Sequence, residues 1–190
     1  MLNTHPNHLH RLNRLTMTQL FMTHPDLSVG FEAPTLPVGM TLRAADAADS
    51  SAIAALLAEA FEEEWDEARV GRELLDAADV AITWVIIGIK GILAVASERL
   101  MPETYPDAGY VHYVGVAKRA RGLGLGAIVT AQCMTGFAER GLSTAVLETD
   151  DFRIPAVITY LRLGYVPTYR NPAEQKAWSQ LFPTLQRSKS

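Results

Sequence analysis

Cysteine is nearly absent from the 190-residue chain: Cys133 stands alone, so no intrachain disulfide can form and a reducing compartment, the cytoplasm, is expected. Within a helical stretch, Cys133 reads as a small buried hydrophobe and not as a nucleophile. No run of about 18 apolar residues occurs, which excludes a membrane-spanning helix. A surplus of positive charge is missing too. Seventeen Lys and Arg against 21 Asp and Glu give a formal charge of -4 and a pI near 5.7, unlike the basic face of a general nucleic-acid binder. Metal ligands are sparse: His5, His8 and His10 have no other ligand near them in sequence, so no metal site is expected. What remains is an ordinary globular composition, 48% hydrophobic and 20% charged, at a length that suits one domain.

Residues 1–24, free of acids as far as Met22, are expected to be a disordered leader or the product of a later start at Met17 or Met22. A single domain is expected over 25–190, with the three prolines of 25–37 marking an extended surface arm. Residues 40–44 read as a first strand. Asp49 or Ser50 caps a helix to about Phe61 that gathers Ile53, Leu56 and Leu57 on one side, and a shorter helix spans 66–77. Between them, Glu62-Glu63-Glu64-Trp65-Asp66-Glu67 reads either as a wet helix end or as an entrance that attracts a cationic amine and stacks it on Trp65. Residues 81–89 and 91–99 form a hairpin about Lys90-Gly91, apolar on both faces as central strands are. Strands follow at 110–116 and 145–149, a helix capped by Asp150 or Asp151 ends at Gly164, and a closing helix begins near Pro172.

The organising stretch is 116–130, where an apolar strand runs through Gly122, Gly124 and Gly126 into a helix ending near Gly141. Glycines at alternate positions let the chain turn sharply and bring amides against a bulky anion. A helix N-terminus adds unpaired N–H groups and a favourable dipole, and Lys118, Arg119 and Arg121 add positive charge. A phosphate or pyrophosphate is the ligand such a corner suits.

Two kinds of site fit. Gly122-x-Gly124-x-x-Ala127 meets the loose dinucleotide fingerprint with Glu148 as a ribose acceptor, but only one further strand-helix-strand passage follows it. Alternatively, Arg121-x-x-Gly124-x-Gly126 resembles the (Arg/Gln)-x-x-Gly-x-(Gly/Ala) acyl-CoA loop of the GNAT superfamily of N-acyltransferases. The ending Tyr160-Leu161-Arg162-Leu163-Gly164-Tyr165 is similar to that family's Leu-Tyr-x-x-Leu-Gly-Phe, with Thr159 for the leucine and Tyr165 for the phenylalanine. The resemblance covers about residues 40–170.

It implies a mixed α/β domain of three layers, α/β/α, around a splayed and mostly antiparallel sheet whose usual final strand is missing or displaced. It also implies an acyl-CoA-dependent N-acyltransferase that moves acetyl from acetyl-CoA directly to a primary amine. Arg121 and the amides around Gly122, Leu123, Gly124, Leu125, Gly126 and Ala127 would hold the pyrophosphate, and main-chain groups of Val114 and Val116 the pantetheine arm. His112 stands where many such enzymes carry a glutamate base, and Tyr160 where a tyrosine protonates the leaving thiolate; Glu98 and Glu148 are further base candidates. The acceptor is a small-molecule amine, a protein N-terminus or a lysine, and a homodimer is compatible with the sequence. The alternatives are an acyl-CoA sensor without transferase activity and a dinucleotide-binding oxidoreductase.

Overall fold

The computed structural model describes residues 18–32 and 34–187. The strands are β1 Gln19–His24, β2 Thr41–Ala44, β3 Val80–Gly88, β4 Gly91–Leu100, β5 Ala108–Val116, β6 Thr144–Asp150 and β7 Val166–Thr168. They form one sheet in the order β2-β3-β4-β5-β6-β1-β7, antiparallel at every step except between β5 and β6. A sheet with one parallel pair is not the wholly parallel sheet that the dinucleotide-binding alternative requires. The helices are α1 Ser50–Phe61, α2 Glu67–Val70 with a π turn Gly71–Leu75 continuing it, α3 Leu125–Glu139, α4 Ile154–Arg162 and α5 Pro172–Arg187.

The expected leader is corrected over its last residues. Leu20 and Met22 have no exposed surface, and β1 pairs with β6 along its whole length and with β7 on its other side. Residues 1–17, with the three leader histidines, lie outside the described residues.

Two glycines on β5 establish the layers. A Cβ at Gly109 would lie 2.1 Å from the Phe137 ring of α3, and one at Gly115 would lie 2.8 Å from Leu56 of α1, so each missing side chain admits a helix close to the strand. On β4, Val95 touches the Gly115 position while Glu98 touches Gly136 of α3. Those β4 residues are three apart and therefore face opposite ways, which puts α1 and α3 on opposite sides of the sheet. On β5 the two glycines are six apart and should share a face. They do not, because β5 carries a bulge: Val95 pairs with Gly115 and Ser97 with His112, leaving Tyr113 and Val114 both opposite Ala96.

The bulge sits where the sheet opens. Strands β5 and β6 pair only from Ala108 with Thr144 to Val111 with Leu147, and past that point no pairing joins them. This is the splay expected between 110–116 and 145–149.

Candidate active site

At the mouth of the splay, Gly122 and Gly124 have φ of 81° and 74°, conformations that favour glycine, and Gly124 leads directly into α3 with no side chain capping its first amides. A Cβ at either glycine would meet nothing within 4 Å, so the ground in front of the turn is open. Gly126 is different: its Cβ would make an ordinary 3.5 Å contact with Val116. Arg121 is exposed beside the turn, but Arg119 is engaged elsewhere. The Arg119 guanidinium donates to the carbonyls of Lys90 and Ile92 at the hairpin, and the Lys118 amide donates to Glu59.

Where β5 and β6 part, a cavity of about 350 Å³ opens. Tyr110, His112, Tyr113 and Val114 line it from β5, Glu148 and Asp150 from β6, and Tyr160 from α4, while Val116 and residues 121–127 lie outside its lining. Burial pushes the Tyr160 phenol well above its ordinary value against the pull of the Arg153 cation, so the hydroxyl keeps its proton at neutral pH. Burial and then the Arg99 cation push His112 down to about 4, and its Nδ1 is buried without a hydrogen-bond partner. The ring is therefore uncharged at neutral pH and a weak base. Its NMR ring-proton shifts are expected to stay constant from about pH 8 to about pH 5.5; a titration centred near the ordinary value of about 6.5 would show a solvated ring instead.

The Acetyltransferase (GNAT) family profile matches residues 50–165, more than half of the chain. The chain belongs to the GNAT acetyltransferase family. It is 33% identical over 146 residues to a mycothiol acetyltransferase of Streptomyces scabiei, a match covering 70% of this chain and 45% of that protein. The chain thus spans about half the length of that relative, and a match to the mycothiol acetyltransferase of an Arthrobacter species, 41% identical over 61 residues and 32% of this chain, covers only 19% of it. Among solved structures, a GCN5-related N-acetyltransferase from Kribbella flavida matches with TM-score 0.55 and 26% identity over 85% of this chain and 60% of that one. One from Sphaerobacter thermophilus matches in fold, with TM-score 0.63 and 19% identity over 87% and 54% of the two chains.

In this GNAT chain several expected groups are engaged elsewhere. Glu98 is completely buried away from the cavity, where its carboxylate takes Nε1 of Trp84 at 2.5 Å and Nη1 of Arg140 at 2.8 Å. Glu148 faces the cavity but is held by Arg170 at 2.5 Å and by the Tyr110 hydroxyl at 3.2 Å, so the ribose role falls away with the dinucleotide reading. Trp65 is not free to stack an incoming amine, because the Arg69 guanidinium already lies 3.8 Å from its ring centroid. Asp150 does not cap α4; it takes the Arg153 side chain at 2.9 Å, and Asp151 takes the Thr18 amide. Cys133 is fully buried, and burial pushes its thiol up.

The cavity also uses residues that the sequence reading passed over. Arg153, just before α4, lies 4.6 Å from the Phe61 ring centroid and donates to the Ala60 carbonyl at the end of α1. On the opposite wall Tyr113 donates to Glu73, and Glu73 accepts from Arg69 at 3.0 Å. Among the described residues no group of three or more His, Cys, Asp or Glu side chains is placed to hold a metal, and no helix is long and apolar enough to cross a membrane.

Proposed function

We propose that the chain transfers acetyl from acetyl-CoA directly to a primary amine. One observation carries this reading: β5 and β6 stop pairing after Val111 and Leu147, and where they part a cavity opens with Tyr160 on its wall. In that arrangement the amides of residues 123–127 hold the diphosphate, Arg121 adds charge, and main-chain groups of Val114 and Val116 bond the pantetheine arm. Tyr160 supplies a proton to the departing thiolate. With Cys133 sealed in the core there is no thiol to carry the acetyl group, which favours direct attack by the amine.

For the acceptor, the relatives named for mycothiol support a small molecule over a protein N-terminus or lysine. The test is thermal denaturation with acetyl-CoA, CoA and NADH in parallel, because a ligand raises the melting temperature only if it binds the folded state. Acetyl-CoA and CoA are expected to raise it and NADH to leave it unchanged; a response to NADH alone would sink the proposal. Release of free thiol on adding amines then separates a transferase from a sensor that binds the thioester without turning it over.

A further inference from the structure

At neutral pH an alkylamine of pKa about 10 is almost wholly protonated and has no lone pair with which to attack a thioester. His112, the ring expected to take that proton, has its Nδ1 buried without a hydrogen-bond partner, so that nitrogen has no onward path for a proton. The next residue, Tyr113, is held at φ 49°, a conformation that a bulky side chain rarely adopts. Such strain persists only where the surroundings over-determine it, and it collects at working sites. Here the surroundings are the bulge and two rings that meet Tyr113 edge-on, Phe61 at 6.1 Å and Trp65 at 4.9 Å. Tyr113 lines the cavity and its hydroxyl donates to Glu73 Oε2. The Glu73 side chain is 32% exposed, so a group on the cavity wall is linked through one hydrogen bond to a carboxylate in contact with water.

We infer that Tyr113 and Glu73 form the path by which the bound acceptor ammonium loses its proton, a reading that rests on the acetyl transfer proposed above. Tyr113 Oη takes the N–H proton as it passes its own to Glu73 Oε2, and Glu73 releases that proton to solvent. The freed lone pair forms the C–N bond and the C–S bond breaks. Of the three protons on the ammonium nitrogen, two leave by way of Tyr113 and Glu73 to solvent, the second as the C–N bond forms, and one stays on the amide; Tyr160 gives its proton to sulfur and regains one from solvent, so a single proton is released overall. Burial pushes Glu73 up, but hydrogen bonds from Tyr113 and Arg69 outweigh it and hold the carboxyl below its ordinary value, so it is ionised at neutral pH and hands a proton on to water instead of keeping it. Arg72 also faces Glu73, and Arg99 donates to its carbonyl. His112 and Asp79 complete the charged and titratable surroundings. Tyr113 is thus a catalytic residue, and Glu73 acts through it.

The experiment compares wild type with Tyr113→Phe and Glu73→Gln on two small probes, methylamine, which is protonated at neutral pH, and hydroxylamine, which is mostly uncharged. Each variant is expected to lose about a hundredfold on methylamine and less than about threefold on hydroxylamine. Their methylamine rates should climb about tenfold per pH unit with the free base, while wild type stays flatter. Equal losses on both probes would leave Tyr113 a structural role only, and no loss would mean that the proton leaves by another path; either outcome overturns the inference. A titration needs no turnover. The tyrosinate absorbance lost in Tyr113→Phe should set in at lower pH in Glu73→Gln, since burial and then the carboxylate beside the phenol hold its ionisation up, and the substitution removes the second of these. An unchanged onset overturns the inference even if the probes are not substrates. Failure of the acetyl-CoA melting shift in wild type, by contrast, counts against the transferase reading.

Discussion

Gly124→Glu is expected to abolish the rise in melting temperature that acetyl-CoA gives the wild-type chain. Three effects act together at this position. At φ 74° a side chain is strained by about 1 kcal/mol, the new carboxylate repels a diphosphate, and it competes for the amides at the start of α3. A ligand at a hundred times its dissociation constant stabilises by about 2.7 kcal/mol, a shift easily read, and a hundredfold loss of affinity removes most of it. Should Gly124→Glu keep the full shift, the diphosphate sits elsewhere and the proposed donor site is wrong.

The second large effect concerns stability. Gly136→Ala drives a Cβ to within 2.2 Å of the Glu98 carboxylate, which has no exposed surface and is fixed by Trp84 and Arg140. Neither partner can yield without parting a buried charge from its donors, so the expected cost is about 3 kcal/mol. For a domain of this size that lowers the melting temperature by about 6–12 °C, measurable by calorimetry. In a Glu98→Ala background the same substitution should cost much less, since contacting residues do not act additively. Equal costs in both backgrounds would locate the clash elsewhere.

The parts of the fold set by local chemistry were legible in the sequence. Gly141, at φ 78°, stops α3 as expected, the hairpin turns at Gly91, and α5 starts at Pro172. The glycine turn was legible too, because Gly122 and Gly124 are positions the backbone itself requires. Features that depend on distant partners were hidden. Leu20, Phe21 and Met22 are consecutive and all buried, so β1 has no alternating pattern to betray it. Period-two reading cannot see the extra residue on β5, so it gave no reason to bring Tyr113 into the cavity beside His112. Arg69 and Glu73, four apart on a helix, look like an ordinary surface pair until Tyr113 is found against them. Glu98 failed as a base candidate for a related reason: which face of β4 it occupies is plain only once α3 is seen to cover it.

The seating of β1 also bears on how the protein is made. Gln19 meets Asp150 and Phe21 meets Thr168, so this segment leaves the ribosome well before either neighbour exists, roughly 130 residues ahead of the first. It must wait, apolar and unpaired, until the late part of the chain supplies a slot. Birth order and docking order are reversed at this end of the molecule, and Leu20 to Met22 is the stretch a chaperone would have most reason to hold during synthesis.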